Sequence, residues 1–521
     1  MMPRAPLQPS PALHRVTLLL CKPFPAAILL LMVAVTVRRV FSAAIEADRD
    51  VGLYAVQARE WLRGGWPYVA VWDIHPLGEP ALIAAAFAWF GQSVETIRML
   101  GAVAVCASGF ILGRLVARHT QDNAWGLATG LIYVAYSSIS GGLAANNEVV
   151  LAPFVVGGVA LTMRRASQVL RGERLRTLDA LLPGLCFGVA LWIKQVAAPE
   201  AMLAFACLVG LALLRGRLRF TAVPGLAIVF GLACAGPTLL TAVTYYVRGD
   251  LAEFYVATVQ APLGYGAGGR AFALVPGEVF TAATRFAPML VLSAVAVAIT
   301  CREWRNAAAS DRFLPVATLF WFLAAALGTL MPPTPYGHHF LILLPPLSIL
   351  TALGVFRVFQ LPWLRNNGSR RLGAALLALL FVGSVPAMAA VFHIRTTPPT
   401  DLMRQVAHSV KEKLGSTEAI FVVNTNPVIY FLAGARVPGR YVFPDHLVER
   451  NAATIPGLDA DAEVARILGQ APQYIVLDWG NWPTMRVPVQ HMVGAALEAH
   501  YVRIATKTDG RATMEIYQRS P

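Results

Sequence analysis

The chain has 521 residues, of which only 14% are charged, and a mean hydropathy of +0.57. A globular protein usually carries roughly 25% charge, so a water-soluble globule is excluded and lipid must cover much of the surface. The formal net charge of +14 does not point to nucleic acid, because the basic residues stand in short clusters between apolar runs, the pattern of membrane topology.

Arg4, Arg15 and Lys22 precede or open the first apolar run. Ser42-Ala43-Ala44 has the form of a signal-peptidase site, but Arg38 and Arg39 interrupt the approach and many apolar runs follow, so the run is expected to remain as the first span. Stretches long enough to cross roughly 30 Å of hydrocarbon occur near 18–37, 97–118, 124–142, 147–163, 178–197, 198–214, 221–246, 282–300, 313–331, 339–358 and 372–393, eleven in all. With a cytoplasmic N-terminus the inner loops collect Arg114 and Arg118, the group from Arg164 to Arg176, Arg215 to Arg219, Arg302 to Arg312, and Arg357 to Arg371. The alternate loops are much poorer in Lys and Arg, which sets the orientation and leaves the C-terminus outside. The six cysteines lie in or beside apolar runs and none follows Cys301; they read as small core hydrophobes and give the tail no disulfide framework.

Three outer segments stand out. Residues 44–96 hold the densest acidic group and two amphipathic stretches, Val51 to Leu62 and Leu77 to Phe90, suited to lie along the membrane surface. Residues 247–281 mix Tyr255, Tyr265 and Arg270 with glycines. The tail reads as helix (Asp401 to Leu414), strand (Ala419 to Val423), helix (Pro427 to Ala433), strand (Tyr441 to Phe443), helix (Ala460 to Leu468), strand (Tyr474 to Leu477), helix (Val489 to His500) and two strands (Tyr501 to Ala505, Thr513 to Tyr517). The expected architecture is an α-helical polytopic membrane domain over 1–394, with its large first outer loop, and a soluble α/β domain over 395–521.

Several ionisable residues sit where local physics makes them costly. Asp50 opens a helix-like stretch, where the helix dipole favours a carboxylate; a general base and a plain N-cap aspartate are both open readings. Glu148 follows Asn146 and Asn147 at the outer mouth of the fourth span, at the edge of hydrocarbon, where an acid needs polar partners. Lys194 lies in LWIKQVAAPE, close to the outer surface, where a lone ammonium costs roughly 2.5–3.5 kcal/mol; a phosphate is a natural partner, snorkelling to the interface the plainer one. Gln195 could support the same headgroup. Glu79 reads as a surface residue. In the tail, Asp445-His446 and Asp478-Trp479 read as surface or packing features, acceptor recognition being a lesser option.

The run Asp50, Gly52, Tyr54, Gly65, Pro67, Tyr68, Asp73, Pro76, Phe90, Gly91 resembles the first outer loop of the polytopic glycosyltransferases of the GT-C fold, specifically the protein-mannosyltransferase and aminoarabinose-transferase-like group. GLAANNEVVLAPF (142–154), GVALWIKQVAAPEAML (188–203) and YGHHFLILLPPLSILTALG (336–354) agree, in the right order, as does VVNTNPVIYFLAGARVPGRY in the tail. The resemblance implies transfer of a sugar from a polyprenyl-phosphate donor, with inversion, to a lipid, glycan or protein acceptor at the outer face of a bacterial cytoplasmic membrane. It matches Asp50 to the catalytic carboxylate that takes the acceptor's proton. Many members follow this Asp with Glu, where this chain has Val51. Asp73 matches the second acidic position, and with His75 is implied to orient the donor phosphate or hold a divalent ion. Glu148 and Lys194 match an acid and a phosphate-binding cation of the site. Tyr336, His338 and His339 are implied to contact phosphate or metal, and since adjacent residues do not share a helix face, only one histidine is expected to point inward. Arg270, Arg38 and Arg39 are further phosphate candidates, with lipid headgroups as the alternative. No organic cofactor is implied. A transporter or flippase of lipid-linked sugars is the competing class, but it would show repeat symmetry and polar groups near the bilayer midplane, and an inactive relative with a wall-binding tail is a third.

Overall fold

The computed structural model of the chain describes residues 22–41, 48–267, 275–306, 308–332, 336–360, 402–415, 418–450, 455–510 and 512–521. Every expected apolar stretch up to residue 358 contains a helix. Among the described residues six helices are long and apolar enough to cross a membrane, or up to seven if Val275–Arg285 and Ala287–Arg302, bent by 78°, count as one span. The expected eleven are therefore not all found at full length: Pro23–Thr36 and Thr177–Ile193 are shorter apolar helices, Asn123–Tyr136 has 14 residues, and 372–393 lies outside the described residues.

The helices begin where capping chemistry dictates. Ser93, Asp122 and Asn146 each precede a helix and accept a hydrogen bond from a backbone N–H of its first turn. Helices Val94–Thr120 and Asn123–Tyr136 form a tight hairpin because Gly113 and Gly126 meet backbone to backbone; a Cβ on Gly113 would lie 2.5 Å from the Gly126 carbonyl oxygen. Cys207 and Cys301 are exposed on the bundle surface rather than in its core.

The tail forms a four-stranded sheet of β1 (Ile420–Val422), β2 (Tyr474–Asp478), β3 (Tyr501–Thr508) and β4 (Thr513–Arg519) in the order β1-β2-β4-β3. β1 runs parallel to β2, while β4 pairs antiparallel with both β2 and β3. The helices Leu402–Lys411, Val428–Ala433, Ala460–Gly469 and Val487–His500 fall where the periodicity predicts them. Tyr441 to Phe443 is not a strand. Gly439 and Pro444 bound it closely, and it spends its bulk on the first outer loop instead: Tyr441 lies against Trp72, at 5.7 Å between ring centroids, and the neighbouring Arg440 carbonyl accepts from Trp72 N–H at 2.8 Å.

The two parts are docked through the helix Arg49–Leu62. Instead of lying half-exposed on a membrane surface, this helix is buried from Val51 through Arg59. Gly52 admits the tail: a Cβ there would collide with the Asn426 side chain and lie 2.9 Å from Val428 N. Arg59, 2% exposed, donates to the carbonyls of Tyr430 (2.5 Å) and Ala435 (2.8 Å) and pairs with Glu60. The helix Gly78–Phe90 adds a stacked Phe87–Phe431 pair at 5.4 Å.

Candidate active site

The N-terminus of helix Arg49–Leu62 carries two carboxylates. Asp48, not Asp50, is the N-cap; its side chain accepts from Val51 N at 2.8 Å. Asp50 stands free of that duty in the first turn, half-buried. Burial, and then the charge of Asp50, push the Asp48 carboxyl up to about 7, with Glu148 adding to the rise and the Val51 N–H and Lys194 opposing it. Sequence reasoning missed Asp48 because a cap and a base are the same residue type at the same helix end.

Asp73 is 1% exposed and lies between two imidazoles. His75 Nδ1 is 3.1 Å from its Oδ1, His446 Nε2 from the outer domain is 4.0 Å from the same atom, and Ile74 N–H donates to it at 2.7 Å. Burial alone would raise Asp73, but the charge and hydrogen bond of His75, with His446 behind them, hold it below the usual carboxylate range. His75 is conversely raised: burial pushes it down, and the charge and hydrogen bond of Asp73 more than reverse this. Tyr68 O–H donates to the His75 carbonyl at 2.8 Å and Tyr54 meets the ring edge-on at 5.9 Å, so the imidazole is held in place. The Tyr54 hydroxyl in turn accepts from Asn147 at 2.7 Å.

Asn147 and Glu148 open helix Asn147–Leu170, and Glu148 is 2% exposed. Its Oε1 accepts from Lys194 Nζ at 2.5 Å, while Oε2 has no hydrogen-bond partner among the described residues. Lys194 reaches it because the chain breaks there: helix Leu181–Ile193 stops, Lys194 is extended at φ −156°, and a 3₁₀ turn Gln195–Ala197 follows. Gln195 is exposed beside it.

Both histidines of the Tyr336-Gly337-His338-His339 turn approach Glu148, against the expectation that one would point away. The segment Gly337–Leu343 is a 3₁₀ helix, which spreads adjacent side chains slightly more than an α-helix does, so the approach of both comes from the placing of Glu148 against this turn and not from the helix type. Ligand atoms of Glu148, His338 and His339 all lie within 4.8 Å of one another. Tyr336 is 47% exposed, with its ring 5.9 Å from that of His338. Arg285, which sequence reasoning passed over, donates to Ser140 Oγ at 3.3 Å and lies 3.4 Å from where a Cβ on Gly337 would stand; its position in the last turn of the helix Val275–Arg285 was the available signal. Arg270 lies outside the described residues, as do the side chains of Arg38 and Arg39.

Glu79 is the clearest correction. It is fully buried, with neither carboxylate oxygen hydrogen-bonded among the described residues. Helix Gly78–Phe90 starts hard against the Trp192 backbone, where a Cβ on Gly78 would lie 2.5 Å from the carbonyl oxygen, and this close approach carries the next residue inward. Burial, then the charges of Asp48, Glu148 and Asp50, push its carboxyl well above the ordinary range.

Asp48, Asp50, Glu148 and Lys194 thus all lie within electrostatic reach of Glu79, and Asp50 and Lys194 within reach of His75. One locality gathers carboxylates able to take a proton, an ammonium able to meet an anion, and imidazoles. Asp73 and His75, expected as metal partners, are hydrogen-bonded to each other; the described residues whose ligand atoms converge for a metal are Glu148, His338 and His339.

No family model matches the chain, and no curated protein does. Its fold is nevertheless shared with solved structures. ArnT from Cupriavidus metallidurans, in crystal structures bound to undecaprenyl phosphate and in the apo state, superimposes with a TM-score of 0.60 at 14% identity; the bound form covers 98% of this chain and 98% of its own. The Archaeoglobus fulgidus oligosaccharyltransferase in complex with Zn and sulfate superimposes with a TM-score of 0.53 at 12% identity, over 92% of this chain and 72% of that one. At such identities the likeness speaks for the fold, and it is the polytopic GT-C fold that the sequence motifs resemble.

Proposed function

We propose that this chain is an inverting glycosyltransferase that moves a sugar from a polyprenyl-phosphate donor to an acceptor hydroxyl at the outer face of a bacterial cytoplasmic membrane. The observation that carries the reading is the buried Glu148–Lys194 pair set among Asp48, Asp50 and Glu79, a proton acceptor and a phosphate-binding cation in one locality. Asp50 takes the acceptor proton as the hydroxyl attacks the anomeric carbon, with Asp48 beside it. As the bond to phosphate breaks, negative charge grows on the leaving group, and Lys194, with His75, Tyr336, His338, His339 and Arg285 around it, meets that charge. The undecaprenyl phosphate bound to the structurally similar ArnT supports a lipid phosphate as donor. The lipid tail can stay between spans, so the donor never leaves the bilayer. The N-terminus is cytoplasmic and the α/β domain periplasmic in this reading, as the basic inner loops require.

A divalent ion has a fitting donor set in Glu148, whose Oε2 has no hydrogen-bond partner among the described residues, with His338 and His339, one carboxylate and two imidazoles. Bound there it would supply positive charge for the phosphate. A flippase is the weaker reading because the ionisable groups collect at the outer ends of the helices rather than at midplane.

The test is Asp50→Asn in the purified protein, with labelled polyprenyl-phosphate sugar and an envelope extract as acceptor source. Transfer should fall by about 10²-fold or more, the scale of a lost general base, with insertion and donor binding retained. Full activity in this variant removes Asp50 as the base; uptake of lipid-linked sugar into vesicles without transfer would give the chain to the flippase class.

A further inference from the structure

We propose that the Trp479–Trp482 turn of the outer domain is a sugar-binding platform that holds a saccharide portion of the acceptor; the word acceptor rests on the transferase reading, the platform itself does not. β1 and β2 are the parallel pair of the sheet, and ligands of open α/β sheets bind outside the carboxyl ends of such strands. The two loops leaving those ends are joined to each other. Asn424 Nδ2 donates to the Asp478 carbonyl at 2.9 Å, Asp478 N–H donates back to Asn424 Oδ1 at 2.8 Å, and Asn481 Nδ2 donates to the Asn424 carbonyl at 3.1 Å. The same carbonyl receives Arg49 Nη2 at 3.4 Å. Arg49 stands between Asp48 and Asp50, so this edge of the outer domain adjoins the proposed base.

The side chains at that edge suit a pyranose. Trp479, at 39%, is the only exposed Phe, Tyr or Trp among the described residues of the outer domain. Core packing does not account for it, yet it is fixed: its Nε1 donates to Glu515 at 2.6 Å, and Trp482 leans on it at 5.0 Å between centroids and 40° between planes. A rigid indole face covers the apolar C–H face of a sugar ring at little cost in conformational freedom. Asn481, half-buried alongside, presents its side-chain oxygen as an acceptor for a hydroxyl group, while the buried Asp478 fixes the turn by accepting from Gly480 N–H at 2.9 Å and Asn481 Nδ2 at 3.1 Å. A peptide adding to the sheet would instead use the edge strands β1 or β3.

The experiment is saturation-transfer NMR on the full chain in a phosphocholine detergent, free of sugar headgroups, with maltotriose, cellotriose and chitotriose as probes. At least one should receive saturation from the unaltered protein and from Trp479→Tyr, which keeps a ring. Binding should weaken roughly five- to ten-fold in Trp479→Ala and in Trp482→Ala, with circular dichroism checking that the domain stays folded. Val502→Ala, at an exposed position on β3, should bind the sugars as the unaltered protein does. Sugar binding through Trp479 in a chain that transfers nothing would sink the transferase reading and leave the platform standing. No saturation of any probe, equal binding in a folded Trp479→Ala, or a turn that binds phosphatidylglycerol vesicles in place of sugars, overturns the platform.

Discussion

Breaking the Glu148–Lys194 pair should produce unequal losses from its two sides. The side chains are 1% and 9% exposed and meet at 2.5 Å, and removing one member of such a pair costs about 3–5 kcal/mol because the other is left buried and uncompensated. The surroundings then decide which loss is larger. Lys194→Met leaves the Glu148 carboxylate with the acids Asp48 and Glu79 as neighbours, and His338 and His339 to offset them. Glu148→Gln leaves the ammonium near Asp48, Asp50 and Glu79, and these acids can give up protons in response and partly replace the lost partner. Lys194→Met should therefore sit near the top of that range and Glu148→Gln near or below its bottom, with the double variant recovering part of the sum. Denaturant melts of the detergent-solubilised protein, arranged as a double-mutant cycle, measure this. Binding of undecaprenyl phosphate, followed in parallel, should weaken in Lys194→Met and survive in Glu148→Gln. Equal losses, or a coupling below about 0.5 kcal/mol, the scale of independent sites, would refute the reasoning.

The pH profile tests the acid pair. With the Asp48 carboxyl pushed up to about 7, this group gains a negative charge beside Asp50 as pH rises through about 7, and that charge favours proton transfer from the acceptor hydroxyl to Asp50, so transfer should fall as pH drops through about 7; a flat rate between about pH 6 and 8 contradicts this. Stability should run the other way, because the folded chain binds a proton that the unfolded Asp, with its pKa near 3.9, releases, so melting temperature should decline as pH rises from about 4 to 7. Gly52→Ala would gain about 0.5–1 kcal/mol in an isolated helix, but here the new Cβ meets the Asn426 side chain and Val428 N. It should instead cost about 1–3 kcal/mol and expose residues 418–450 to limited proteolysis. Unchanged protection there would mean that the outer domain is not seated on this helix.

What was legible in the sequence follows from how local each cause is. Hydropathy located the helices because the need to bury a backbone in lipid acts on every residue of a span, and period-2 and period-3.6 patterns located the four strands and four longer helices of the α/β domain but not the short helices Pro444–Leu447 and Trp479–Thr484. Glu148 and Lys194 were legible for a related reason: an ion at the edge of hydrocarbon is costly on any fold, so a partner had to exist, although the one found is the other ion of the pair. Asp48, Glu79 and the second histidine were not legible, and each failure has a particular source. Asp48 wears the same signature as a cap. Glu79 is buried by the contact of Gly78 with Trp192, more than a hundred residues along the chain. The histidine pair is brought together by where Glu148 sits, nearly two hundred residues earlier in the chain, a contact that composition does not encode. Such contacts matter most where helices from distant parts of the chain meet outer-domain loops, and that is also where ionisable groups can be held buried without lipid around them. The α/β domain therefore does more than cap the bundle: through Arg49, held by Asp445 and Glu449 at 3.3 and 2.7 Å, and through His446 beside Asp73, it sets part of the charge balance around Asp48, Asp50 and Asp73.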